Sequence, residues 1–125
     1  MLKAKIHRAT VTEADLDYVG SLTLDEELMD ACGLKEFEKI QVLDITNGHR
    51  IETYLIRGER GSGQVCINGA AAHLIHEGDL VIIVSYCQVT YEESLIHKPQ
   101  IIHVDGKNHI IATSNQENIL DKFIE

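Results

Sequence analysis

The stretch KIQVLDITNGHRIETYLIRG, Lys39 to Gly58, decides the fold class. Two β-prone runs flank Asn47-Gly48, a pair that tolerates the positive φ angles of a type I′ turn, so the segment predicts an antiparallel hairpin. Similar signals recur on either side. Upstream, LKAKIHR alternates: Leu2, Ala4 and Ile6 fall on one face, Lys3, Lys5 and His7 on the other. Period two marks a half-buried strand, with Lys5 and His7 projecting the same way. Downstream, QVCI is a short strand, and Asn68-Gly69 turns into AAAHLIH, a helical turn or two. DLVIIVSYCQV is the most apolar run and reads as a strand buried on both faces. IIHVDGKNHIIA predicts a last hairpin about Asp105-Gly106.

Helices are few. In TLDEELMDACG, Thr23 and Glu26 have capping-box spacing, Leu24, Leu28 and Cys32 share a helical face, and Gly33 suits the C-terminal cap. The helix is expected to begin at about Thr23. The tail SNQENILDKFIE has weak amphipathic spacing and is expected to be partly disordered, with flexibility beyond about residue 110. Many short strands with few, short helices predict a mainly β fold, a small closed β-barrel forming a single domain over residues 1–125.

A chain of 125 residues can build a core without disulfide or metal staples. The net charge of −9 excludes a nucleic-acid partner, which needs a basic face. No apolar run approaches membrane-spanning length, so no membrane partner is expected. No signal-peptide pattern precedes the first strand, and the three cysteines (Cys32, Cys66, Cys87) form no CxxC pair; a reduced, cytoplasmic setting is expected. On this acidic background Lys3, Lys5, His7 and Arg8 form a local cationic run. It suits a small anionic ligand, although composition alone favours reading it as a solvated strand face.

His73, His76 and Cys66 lack the spacing of a zinc site, and no metal is expected. GERGSG lacks the Lys-Ser/Thr of a phosphate loop, and no GxSxG elbow occurs. Gly20-Ser21, just ahead of the expected helix, reads either as a turn or as a site of self-cleavage. A serine hydroxyl can attack the carbonyl before it, turning the amide into an ester. Elimination then leaves dehydroalanine, which hydrolyses to an N-terminal pyruvoyl group. Such chemistry needs glycine-like freedom, local strain and donors aimed at the oxyanion on Gly20. A Gly-Ser pair alone is a weak signal, since Gly61-Ser62 is another.

The surroundings of the first pair are more specific. KIHRATVTEADLDYVGS, TNGHRIETYLIRGERGSG, INGAAAHL and GDLVIIVSY, in this order and spacing, closely resemble the aspartate 1-decarboxylase family over about Lys3 to Asp105. The resemblance implies a double-psi β-barrel, a homotetramer, cleavage between Gly20 and Ser21, and decarboxylation of L-aspartate to β-alanine for pantothenate and coenzyme A. It implies a covalent pyruvoyl group derived from Ser21, condensing with the substrate amine, and no pyridoxal phosphate. Tyr54 is implied as the proton donor and Thr53 as a stabiliser of the cleavage oxyanion that also contacts substrate. Asn68, Gly69, Ala70 and Ala71 are implied to line the substrate site, with Lys5, His7 and Arg50 holding the carboxylates. Some family members mature with a helper protein.

The residues fit these roles chemically. A carbonyl can act as an electron sink, a phenol can return a proton, and Arg can clamp a carboxylate through two bonds. Each residue also has a plainer reading: Lys5 and His7 as surface charge, Tyr54 as a strand aromatic, NGAAAH as a helix start. Two rivals follow, a pyruvoyl decarboxylase of another amino acid and a non-catalytic oligomeric β-barrel binding module. Thr53 and Tyr54 are adjacent and face opposite ways on a regular strand, so a shared site requires a bulge or a location between subunits, and the second is expected. Leu43 stands where the family often carries an aromatic, and the chain has no Trp, which bears on the pocket wall.

Overall fold

The structure is a computed structural model and describes residues 1–115. Its elements are mainly strands: β1 (Leu2–Thr10), β2 (Glu13–Asp15), β3 (Ser21–Asp25), β4 (Lys39–Asp44), β5 (Arg50–Gly58), β6 (Val65–Asn68), β7 (Leu80–Tyr86), β8 (Gln100–Val104) and β9 (Ile110–Ser114). Helix α1 (Glu26–Cys32) follows β3, a 3-10 turn (Gly69–His73) follows β6, and α2 (Tyr91–Ser94) follows β7. The mainly β class expected from the sequence is the class observed.

The strands are ordered β2-β6-β3-β5-β4-β7-β1-β8-β9. Two early strands are threaded between later, consecutive ones. β3 lies between β5 (parallel) and β6 (antiparallel), and β1 lies between β7 (antiparallel) and β8 (parallel). This double interleaving agrees with the doubly crossed barrel implied by the resemblance. Among the described residues no ladder joins the end strands β2 and β9, so the sheet is not closed by backbone pairing. Side chains bridge other gaps. Buried Asn108, in the β8–β9 loop, accepts from Thr10 N at 2.8 Å and donates Nδ2 to Thr10 O at 2.8 Å and to Gly63 O at 2.7 Å. Thr12 Oγ1 accepts from Val65 N at 2.9 Å and ties the β1–β2 connection to β6.

The alternation of β1 holds through Ala4 and Ile6, both buried, then breaks. Ile6 faces Ile83 and Ala9 faces Val81, so three steps on β1 match two on β7, and Arg8 takes φ +62° at the bulge. In the middle of β7, Ile83, Val84 and Ser85 are buried in succession, as expected of a strand covered on both faces.

The helix does not begin at Thr23. Thr23 and Leu24 belong to β3, where Thr23 pairs with Ile56 on one side and Cys66 on the other. Pairing on two edges outweighs the local capping pattern. Asp25 is the N-cap instead, accepting from Glu27 N at 2.8 Å. It also accepts from Gly61 N and Gly63 N at 2.9 Å each, so one buried carboxylate fixes both the helix start and the β5–β6 loop. Gly33 caps the other end at φ +66°, as expected.

The central hairpin is present, with a different turn. Asp44 N donates to His49 O at 2.8 Å, leaving a four-residue loop, Ile45 to Gly48, in place of a two-residue type I′ turn. Gly48 is at φ +82°, whereas Asn47 has no positive φ. Asp44 Oδ1 accepts from Thr46 N and Asn47 N at 2.8 and 3.2 Å, which winds the loop away from the tighter form. The last hairpin lies about Asp105-Gly106 as expected. Strand β2 and helix α2 were not anticipated, although Thr90 and Glu93 form a full capping box ahead of α2. The helical reading of the tail falls largely on residues 116–125, outside the described residues.

Candidate active site

Ser21 is the first residue of β3, and its backbone is strained. Its φ is +99°, in a region that side chains rarely adopt, which costs on the order of 1–3 kcal/mol. The side chain is buried, at 5% exposure, and Oγ has no hydrogen-bond partner among the described residues. A buried hydroxyl left unbonded forfeits about 1–3 kcal/mol more. Strain and an idle hydroxyl thus coincide at one peptide bond.

Gly69 forms the back of this junction. It has φ +70°, and a Cβ there would meet Gly20 Cα at 2.9 Å, Gly20 N at 3.3 Å and Tyr18 O at 3.4 Å. Only glycine lets the two backbones lie so close. Gly69 therefore braces the Gly20-Ser21 junction from behind and does not itself line the cavity.

That cavity, of about 400 Å³, is lined by Gly20, Ser21, Thr53, Tyr54, Asn68, Ala70 and Ala71, with Ile51, Glu52 and Leu74 completing the wall. Thr53 and Tyr54 both line this cavity within the one chain, beside the point where β3 starts. The β3–β5 ladder begins at Leu22 opposite Leu55, so among the described residues no strand pairs with residues 50–54 of β5 on that edge. The β4–β5 ladder runs without a register shift, so no bulge is needed. The cavity sits against this edge of β5. Tyr54 is 39% exposed, and its ring lies 6.5 Å from that of Phe37. The wall residues Ile51, Glu52 and Leu74 were missed, because nothing in their local pattern distinguishes them from ordinary strand and turn residues.

Asn68 is the register partner of Ser21. Its Nδ2 donates to Thr23 Oγ1 at 3.0 Å, and its Oδ1 accepts from the Cys66 thiol at 3.0 Å. Burial, and then the charges of Glu13 and Asp15, push the Cys66 thiol up to about 11.

Lys5, His7 and Arg50 are not brought to this cavity within the one chain. Lys5 pairs with Val84 and Ile101 on the far part of the sheet. His7 pairs with His103, their rings edge to face at 5.2 Å. Arg50 is exposed at the start of β5, opposite Leu43. Of the cationic run, Lys3 is engaged elsewhere, 2.9 Å from Glu38. Among the described residues no group of three His, Cys, Asp or Glu is disposed to hold a metal ion, and no helix is long and apolar enough to cross a membrane.

The fold and this junction define a small mainly β protein that presents a strained serine to its own backbone at the mouth of a cavity. The model of the aspartate decarboxylase family matches residues 1–111, and the chain belongs to that family. Membership places it among enzymes, the carboxy-lyases. The chain is 61% identical over 117 residues to an aspartate 1-decarboxylase of Caldicellulosiruptor saccharolyticus, covering 94% of this chain and 91% of that one. It is 62% identical over 115 residues to an aspartate 1-decarboxylase of Corynebacterium efficiens, covering 92% and 85%. A relative of the same name from Acetivibrio thermocellus is 57% identical over 117 residues, covering 94% and 93%.

Proposed function

We propose that this chain is a proenzyme that cuts itself between Gly20 and Ser21 and then decarboxylates L-aspartate to β-alanine and CO₂, the step that supplies pantothenate and coenzyme A synthesis. The observation that carries the reading is the buried Ser21 hydroxyl, idle beside a strained backbone and facing a cavity. In the cut, Oγ attacks the Gly20 carbonyl carbon, the C–N bond breaks, and the Oγ proton passes to the departing nitrogen. Relief of the φ strain favours this shift. Loss of the Ser21 Cα proton expels the Gly20 carboxylate. Water then replaces the nitrogen as ammonia, leaving a pyruvoyl group.

The residues present suit that group: Ser21 supplies its atoms, Gly69 keeps the junction backbone close, and Ala70 and Ala71 leave room for substrate. When formed, the pyruvoyl carbonyl supplies an electron sink for the departure of CO₂. Thr53 stabilises the oxyanion of the cut and touches substrate. Tyr54 holds the proton that the substrate α-carbon receives. Asn68 orients the substrate from the β6 side. Lys5, His7 and Arg50 lie outside the cavity of their own chain, so they meet the carboxylates of aspartate across a subunit contact in a homotetramer. Three free thiols support a reducing, cytoplasmic setting. A helper protein, where maturation uses one, acts on the uncut chain.

Intact-mass spectrometry under denaturing conditions tests the reading. The wild-type chain is expected as two pieces, residues 1–20 and 21–125, the larger beginning with pyruvoyl, and Ser21→Ala as one inactive piece. An active Ser21→Ala enzyme overturns the proposal. A panel of amino acids separates aspartate from other substrates.

A further inference from the structure

Strand β6 lies between β2 and β3, and the registers align two rows of side chains across the three strands. Glu13, Cys66 and Thr23 form one row; Asp15, Asn68 and Ser21 form the next. Rows two residues apart share a face of the sheet. Within this patch both ends of the Asn68 amide are engaged. Oδ1 accepts from the Cys66 thiol at 3.0 Å, and Nδ2 donates diagonally to Thr23 Oγ1 at 3.0 Å. Asn68 is 2% exposed, so solvent does not compete for these bonds. Neither end of the amide is bonded to Ser21, its own register partner, whose Oγ has no partner.

We propose that Cys66 is a positioning residue for self-processing: its thiol holds the Asn68 amide turned toward Thr23, and so keeps the Ser21 hydroxyl free to attack the Gly20 carbonyl. The proposal rests on the self-cleavage reading above. Residues directly opposite on paired strands have Cβ atoms about 4.5–5.5 Å apart, so a released amide reaches the Ser21 hydroxyl. A bond formed there occupies the nucleophile and must be broken before attack. The Thr23 hydroxyl can donate or accept and does not by itself choose between the ends of the amide. The thiol, kept protonated by burial and by the nearby Glu13 and Asp15 carboxylates, has one proton and two acceptors, Oδ1 at 3.0 Å and Glu13 Oε2 at 3.9 Å; the nearer one takes the proton, and so the thiol selects Oδ1. Cys66 takes no part in bond making; the Oγ–C bond forms and the C–N bond breaks as before.

The test compares wild type, Cys66→Ser and Cys66→Ala. Loss of the uncut chain is followed by denaturing mass spectrometry, and exchange of the Asn68 side-chain amide protons by NMR in an uncut Ser21→Ala background. Cys66→Ala is expected to process about tenfold more slowly and to exchange those protons faster. Cys66→Ser, which restores a donor, is expected within about twofold of wild type in both. If Cys66→Ala does not fold, Cys66→Val fills the space without a matching donor and takes its place. Processing of the donor-free variant at the wild-type rate overturns the proposal. So does a Cys66→Ser chain that folds but is as slow as Cys66→Ala, since packing and not donation then sets the rate. A wild-type chain that stays whole, even with cell extract, defeats the self-cleavage reading and this one with it; a wild type cut no faster than the donor-free variant defeats this one alone.

Discussion

Replacing Gly69 by alanine probes the scissile junction from the wall behind it. Two penalties are separable in the geometry. The first is conformational: Gly69 sits at φ +70°, and an L side chain in the left-handed region costs about 1–2 kcal/mol. The second is steric. The new Cβ would lie 2.9 Å from Gly20 Cα, whereas ordinary contact begins at 3.4 Å. The obstacle is backbone, which cannot swing aside as a side-chain tip can, so Gly20 must retreat by about half an ångström. Misplacing reacting atoms by 1 Å can cost about 100-fold, so half of that is expected to slow the cut on the order of tenfold. The assay follows uncut chain against time for Gly69→Ala and wild type at one temperature, with a denaturant melt of each. The expected result is a loss of about 1–2 kcal/mol in stability together with slowed processing. A variant that loses the stability yet processes at the wild-type rate would refute the idea that Gly69 positions the junction.

Other expectations are independent of that one. Asn108→Ala orphans Thr10 N, Thr10 O and Gly63 O together and is expected to cost about 3 kcal/mol or more by chemical denaturation, with Asn108→Asp recovering only the acceptor part; an unchanged midpoint contradicts the bridging role. Tyr54→Phe is expected to fold and process normally but to lower kcat about 100-fold or more per processed chain, and an unchanged kcat removes Tyr54 as the proton donor. Burial pushes the Cys32 thiol up to about 12 from 9.0, so above pH 9 the unfolded chain gives up a proton that the folded chain keeps. The folded state then binds more protons, and stability falls as pH rises through that window. Cys32→Ala is expected to show a shallower alkaline decline in unfolding free energy, and equal slopes would show that this thiol does not contribute.

What was legible in the sequence was mostly what repeats with a short period. The strand β1, the two hairpins and the Gly33 cap follow from alternation, turn pairs and glycine. Thr23 was misread because its capping pattern is local, whereas its fate is set by β5 and β6, more than 30 residues away in the chain. The turn at Asn47-Gly48 was misread because the Asp44 side chain supplies a wider alternative. Within the candidate site, Ser21, Thr53, Tyr54, Asn68, Ala70 and Ala71 were named from the resemblance, and one cavity brings them together. Gly69 lies against the Gly20 backbone and is absent from the cavity lining, a placement the sequence does not show, since a glycine at close backbone approach looks the same there as one at a pocket. The sequence patterns around Cys66 and Thr23 do not point to Asn68, and their link to it appears only once β6 is set beside β3.

The threading of β1 between β7 and β8 bears on the order of events in the life of the molecule. Residues 1–20 carry β1 and β2, and Ala4, Ile6, Ala9 and Val11 of this piece are fully enclosed. The proposed cut at Gly20 would therefore leave an interlocked pair of peptides, with β1 of the smaller one held along both of its edges. Before the cut, folding is unimolecular. Afterwards, unfolding releases two strangers that must find each other again, so the melting point acquires a dependence on concentration, as for a heterodimer. A chain severed too early would have to assemble its centre from a loose peptide. Under the proposed maturation the architecture would thus reward a fixed sequence, fold first and cut second, and would make the cut a step that is hard to retrace.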